Sequence, residues 1–161
     1  ARDMPASFNA RHDSLWKRYR YRIYNGPQET ALDRRFSWWL RAPLDISAME
    51  RAATELVGEH DFNAFRSVHC EAAHAIREMF SITISTVERP PLGTFIDIVF
   101  HANAFCRHMC RILAGTLVEV GLGKTEVASV ATILASRDRT KAGQTAPPGG
   151  LTLLEVRYPD V

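Results

Sequence analysis

Asn103-Ala104-Phe105-Cys106-Arg107-His108-Met109-Cys110-Arg111-Ile112-Leu113-Ala114-Gly115 is the stretch on which the fold turns. An apolar strand runs into it, and Met109, Ile112, Leu113, Thr116, Leu117 and Val120 then recur at the i, i+3, i+4, i+7 spacing of a core-facing helix. The spacing predicts a helix from about Arg107 to Val120, stopped by Gly121 and Gly123. Its first two turns would carry Arg107, His108 and Arg111. Helix N-termini hold partial positive charge, so cations there require an anion nearby, either a carboxylate or a phosphate.

Upstream of this helix, Glu78 to Val87 and Thr94 to Ala102 read as two strands joined by the turn-rich Arg89-Pro90-Pro91-Leu92-Gly93. The alternation places Phe80, Ile82, Ile84, Ile96, Ile98 and Phe100 on an apolar face, and Ser81, Thr83, Ser85, Asp97 and His101 on a polar one. Helices would cover the first, and a cleft or water would face the second. Leu15 to Tyr24 alternates in the same period, setting Tyr19, Tyr21 and Ile23 against Arg18, Arg20, Arg22 and Tyr24. Asn25-Gly26-Pro27 ends that strand, and Phe36 to Leu40 offers a short second one. Asp45 opens a helix as N-cap, with Ile46, Met49, Ala53, Leu56 and Val57 as its buried side and Gly58 past its end. Thr125 would cap a shorter helix through Val127, Val130 and Leu134. Leu151 to Val156 would close the chain as a strand. The order gives an α+β domain, a largely antiparallel sheet with helices packed on one face, spanning residues 1–161 as one unit whose residues 1–12 read as a connecting segment.

The composition suits one core: 161 residues, 46% apolar, 24% charged, formal charge +2. No run approaches a bilayer span, and no signal-peptide pattern is present, so a cytoplasmic protein without a membrane partner is expected. Three cysteines make no disulfide framework. The charge is uneven, with six Lys or Arg against two Asp up to Tyr24, as a phosphate-bearing ligand would use.

Several lures fail on their own chemistry. Gly123-Lys124-Thr125 ends like a P-loop, but the required first glycine is Val118 and a helix rather than a strand precedes it. Cys106, His108 and Cys110, or His69, Cys70 and His74, have no CxxC hook, and alternate helical positions diverge, so no metal is expected. No nucleophile-and-base arrangement stands out for hydrolysis. The remaining signals are aromatic rings interleaved with arginines, the pairing of stacking surface and charge that unpaired bases and phosphates take.

Four ordered motifs then carry a resemblance: Arg18-Tyr19-Arg20-Tyr21-Arg22-Ile23-Tyr24-Asn25; Gly58-x-His60-Asp61-Phe62-x-x-Phe65-Arg66; Asn103-Ala104-Phe105-x-Arg107-His108-Met109-x-Arg111; and Asp138-Arg139-x-x-Ala142 leading to Thr145-Ala146-Pro147-x-x-Gly150-Leu151. Together they resemble the bacterial tRNA pseudouridine synthase A family, over nearly all of this chain but only the C-terminal half of that family's length. The Gly-Arg-Thr-Asp motif that carries the family's nucleophilic aspartate is absent. The resemblance implies isomerisation of uridine to pseudouridine at positions 38, 39 and 40 of the tRNA anticodon stem-loop, without a cofactor, by a homodimer. It implies that Tyr19 stacks on the flipped uracil and assists proton removal from C5, and that Arg111 orients the aspartate of the missing N-terminal half. Arg66, Phe105, Arg107 and His108 fall at positions expected to touch RNA or brace the cleft. The chain alone would be inactive. The competing expectation is a non-catalytic RNA-binding module built on the same scaffold.

Overall fold

The computed structural model describes residues 4–89 and 93–159. Its strands are β1 (Trp16–Asn25), β2 (Trp38–Leu40), β3 (Gly58–Asp61), β4 (Ile76–Arg89), β5 (Gly93–Ala102) and β6 (Leu151–Arg157). Its helices are α1 (Ile46–Thr54), α2 (Met109–Gly121) and α3 (Ser129–Ser136). They form one mixed sheet in the order β2-β1-β5-β4-β3, with β6 also paired to β1. All pairings are antiparallel except β1 with β2. The α+β class and the helix-covered sheet are as the sequence predicts. No helix among the described residues is long and apolar enough to cross a membrane.

β1 is the centre of the architecture because both its edges are used: β5 runs along one, while β6 and then β2 share the other. Its alternation sends Tyr21 and Ile23 into the core with Ile96, Ile98 and Phe100 of β5, under Met49 and Leu56 from α1 and its end and Met109, Leu113 and Leu117 of α2. Tyr19 packs at the margin of that core. Asp45 caps α1, its side chain accepting from Ala48 N–H at 2.9 Å. The end of α1 differs from expectation. Glu55, Leu56 and Val57 tighten it through bonds to carbonyls three residues back, Val57 stays 40% exposed, and Gly58 at φ +110° opens β3 instead of closing the helix.

The opposite face of the sheet carries the arginines. Arg22 makes a two-pronged bond to Asp97, Nε at 2.7 Å and Nη2 at 2.6 Å, while Arg20 approaches the same carboxylate at 4.0 Å and Arg18 reaches Glu155 at 3.4 Å. Hydrogen bonding to Asp97 pushes the Arg22 pKa above its usual value against the cost of burial. Removing Asp97 leaves two half-buried guanidinium groups facing each other. Asp97→Ala is therefore expected to cost about 2 kcal/mol, read as a lower urea midpoint; an unchanged midpoint would mean that these pairs contribute nothing.

The polar face is also less regular than alternation predicts. A bulge between Met79 and Ser81 shifts the register of β4 against β5, so Met79 enters the core and Phe80 turns outward, 39% exposed, with its ring edge on His101. The connection expected over Arg89–Gly93 includes residues 90–92, which lie outside those described. Two further differences concern helix starts. α3 begins at Ser129 rather than behind Thr125, because Lys124 and Thr125 N–H both donate to Glu119 O and finish α2. And α2 begins at Met109, with His108 as its N-cap in the left-handed conformation, φ 61°, so Arg107 and His108 precede the helix and only Arg111 stands in its first turn. Within the expected connecting segment, residues 4–12 form turns against the end of the chain: Phe8 packs edge-on to Tyr158 at 5.2 Å, and Tyr158 donates to Ala10 O.

Candidate functional site

The turn that carries the cations is built from Asn103. As β5 ends, Asn103 N–H donates to Glu78 O and its side-chain oxygen accepts from Glu78 N–H, both at 3.1 Å, which closes the ladder and swings the chain away from the sheet. Phe105 follows and meets Tyr19 edge-to-face, ring centroids 5.1 Å apart. Tyr19 is held between Phe100 of β5 and Leu153 of β6, at a point where β6 bulges beside it. Burial, and then the nearby Cys110 thiol, push its hydroxyl above the ordinary phenol range, so it is a neutral phenol at physiological pH.

Arg107 ties the loop over residues 67–72 to this turn: its N–H donates to Cys70 Sγ at 3.4 Å, its carbonyl accepts from Ser67 N–H at 3.0 Å, and its guanidinium reaches His69 O at 3.4 Å. Arg66 supports the same loop from behind, through Ala72 O at 3.2 Å. The pKa of His108 is lowered by burial, then by Arg111, Arg107 and His69. Its left-handed backbone is strain, on the order of 1–3 kcal/mol, of the kind stored at ligand sites.

Arg111 is pinned differently. Its Nε donates to Ala146 O at 2.6 Å, and Ala146 N–H returns a bond to Arg111 O at 3.1 Å. The segment around Ala146 is in turn fastened to α2, by Gly143 N–H to Thr116 Oγ1 at 2.9 Å and Gln144 N–H to Glu119 Oε1 at 3.0 Å, and to β1 by Tyr21 O–H to Pro147 O at 2.7 Å. This accounts physically for the last motif: Ala146 O holds the Arg111 guanidinium, while Arg139 of the same motif steadies this bracket by donating to Thr145 Oγ1 at 3.0 Å. Among the described residues, no acceptor takes the terminal nitrogens of Arg111 and no carboxylate pairs with it. Asp97 is occupied by Arg22 and Arg20 on the far face of the sheet, and Glu119 of α2 accepts from Gln144 N–H.

Tyr19, Phe105, Arg107, His108 and Arg111 line one cavity of about 450 Å³, with Leu151 beside them. That volume is within the ~300–1,000 Å³ of sites for small ligands. Arg66 lies outside its lining. The cavity opens on the helix-bearing side of the sheet, not on the polar face where alternation placed it. Residues that the sequence left unassigned join its wall, notably Cys70 and Arg11. Burial pushes the Cys70 thiol up, but N–H groups of Ala72 and Arg107, the Cys106 thiol and the charge of Arg66 bring it net below its ordinary value. Cys110 is buried and its thiol is pushed well up. Iodoacetamide at neutral pH is therefore expected to label Cys70 at least tenfold faster than Cys110, about what thiolate fraction and access together give, read by peptide mass mapping; equal labelling would contradict this wall.

A family model described as tRNA pseudouridine synthase matches residues 52–159. This chain belongs to the tRNA pseudouridine synthase family. It is 46% identical over 158 residues to tRNA pseudouridine synthase A of Myxococcus xanthus, covering 98% of this chain and 58% of that protein. With the protein of that name from Geotalea daltonii it is 44% identical over 158 residues, covering 98% and 63%. With that from Xanthomonas campestris pv. campestris the identity is 46% over 152 residues, covering 94% and 57%. The chain thus spans about three fifths of the length of the curated synthases it matches. The family model takes in the whole cationic turn and the Ala146 bracket, while Tyr19 lies before it, within the longer alignments.

Proposed function

We propose that this chain forms the substrate-gripping part of a pseudouridine synthase acting on uridines 38, 39 and 40 of the tRNA anticodon stem-loop, in a cytoplasmic homodimer. The observation that carries this is Arg111: a guanidinium fixed by its Nε, with two terminal nitrogens unengaged, in the same cavity as a half-buried tyrosine. The target base leaves its stack, because its glycosidic bond cannot be reached inside a stem. Tyr19 then offers a ring edge-braced by Phe105, and as a neutral phenol its first role is as a platform for the uracil. Arg107 and His108 meet the phosphates that accompany the base. The terminal nitrogens of Arg111 hold an aspartate supplied by the part of the synthases that this chain does not span, keeping it ionised and aimed at the nucleotide. That carboxylate bonds to the nucleotide, at the sugar or the base, as the C1′–N1 bond breaks; uracil rotates against Tyr19, C5 bonds to C1′ as the carboxylate is released, and the proton lost from C5 is balanced by the one taken up at N1.

The experiment is tritium release from C5-labelled uridine in an anticodon stem-loop, with this chain alone and with the part of the Myxococcus xanthus synthase that this chain does not span added, which should bring the aspartate. Silence alone and turnover on addition is the expected result. Turnover by the chain alone would overturn the assignment of the nucleophile. Tight RNA binding with no turnover in either mixture would favour the non-catalytic module instead.

A further inference from the structure

A second cavity, also about 450 Å³, adjoins the first, and Tyr19 and Phe105 form part of the wall of both. It is lined by Arg11, His12, Lys17 and Arg77, with Glu71 the one carboxylate in its wall among the described residues. Arg77 is the unusual member. It stands on β4 opposite His60 of β3, is only 9% exposed, and bonds through Nη1 alone, to Ile76 O at 2.6 Å and His74 Nδ1 at 3.3 Å. Its Nε is buried without a partner, and among the described residues it pairs with no carboxylate.

A guanidinium nine-tenths out of water without a counter-charge destabilises the free protein, and an apolar chain of similar volume would fill the space without that penalty. The neighbours deepen the imbalance: Arg11 and His12 come from the segment leading into β1 and Lys17 from β1 itself, so two further cations and an imidazole border the same space from another direction. Among the described residues no acceptor takes Nη2 of Arg77, and because Nε is enclosed, Nη2 is the nitrogen left to meet a phosphate oxygen in a charge-assisted bond. Tyr19 and Phe105 border both this space and the one at Arg111, so a nucleotide whose base lies against Tyr19 in the first cavity has the second beside it.

We propose that the second cavity is a phosphodiester subsite, in which Arg77 takes the RNA phosphate next to the nucleotide whose base lies against Tyr19. This rests on the RNA reading above and adds to it a residue and a ligand group. Arg77 neutralises the backbone at one linkage and so fixes the register in which a nucleotide is presented.

The test is a set of anticodon stem-loops, each with one uncharged methylphosphonate linkage at a successive position around the target uridine, bound to this chain and to its Arg77→Gln and Arg77→Lys variants. One linkage should weaken binding to the unsubstituted chain about tenfold, the worth of one charged hydrogen bond. Arg77→Gln should bind the unmodified stem-loop about tenfold more weakly and lose sensitivity to that linkage alone. Arg77→Lys, which keeps the charge in the fold but not the fork, should retain part of that sensitivity and stands in if the glutamine variant does not fold. Losses that add at every linkage overturn the proposal while leaving the RNA reading intact. No binding of any stem-loop to the unsubstituted chain overturns both.

Discussion

Gly115→Ala is expected to destabilise this chain by about 3 kcal/mol, a fall in Tm of about 10 °C. In an ordinary helix the same change stabilises by ~1 kcal/mol, so the sign itself is diagnostic. A Cβ on Gly115 would lie 1.9 Å from Gln144 O, and one on Gly143 would lie 2.7 Å from Thr116 Cα; both obstacles are backbone and cannot rotate away. The two glycines let α2 and the bracket touch main chain to main chain. Gly123→Ala is the control, since it sits at φ +70° with nothing within 4 Å of the added carbon and so loses only its backbone freedom, ~1 kcal/mol. A Gly115→Ala variant as stable as the parent would mean that the bracket is not seated on α2 as described.

Arg111→Ala, in a synthase reconstituted with the aspartate-bearing part, should lower kcat/KM by ~10³-fold or more, the scale of losing a preorganised charge partner at the reacting centre. Tritium release measures it, and activity within tenfold of the parent would remove Arg111 from the mechanism. Stability should change far less. Read from sequence, Arg111 is a cation without its partner and its removal is nearly silent; the bond from Nε to Ala146 O changes that to about 1 kcal/mol, because the carbonyl loses its donor. Arg111→Lys should not restore activity, since an ammonium cannot bond Ala146 and present two further parallel donors at once.

Period-two alternation made β1 legible, including the division of Tyr19, Tyr21 and Ile23 from the three arginines, and a single capping aspartate made the start of α1 legible. Alternation failed at Phe80, since one inserted residue reverses every side chain before it and no local signal announces a bulge. β3 was invisible because four residues are too few to show a period. Helical periodicity placed α2 but not its first residue: a histidine in the left-handed region reads in sequence like one more helical position. In the site, Tyr19, Phe105, Arg107, His108 and Arg111 were legible as types and motifs, and the structure places them around one cavity. Arg66 was legible as a motif member and lies behind the loop instead. What sequence could not supply was contact across distance: the Ala146 bracket, the Cys70 wall, and Arg77 beyond Tyr19.

β2, the next element in sequence, holds only the last three residues of β1. β1 pairs with β5 and with β6, and the hydroxyl of Tyr21 closes on a carbonyl 126 residues later. On a ribosome adding ~5–20 residues per second, the strand therefore waits roughly 6–25 s after its own synthesis before its last partner emerges. During that interval Tyr21 and Ile23 gain their core partners from α1, β5 and α2 before the hydroxyl of Tyr21 gains its acceptor. The same delay means that a chain ended before Ala146 has the cations of the cleft without the carbonyl that fixes Arg111, so the aim of that guanidinium is the last part of the cavity to be set.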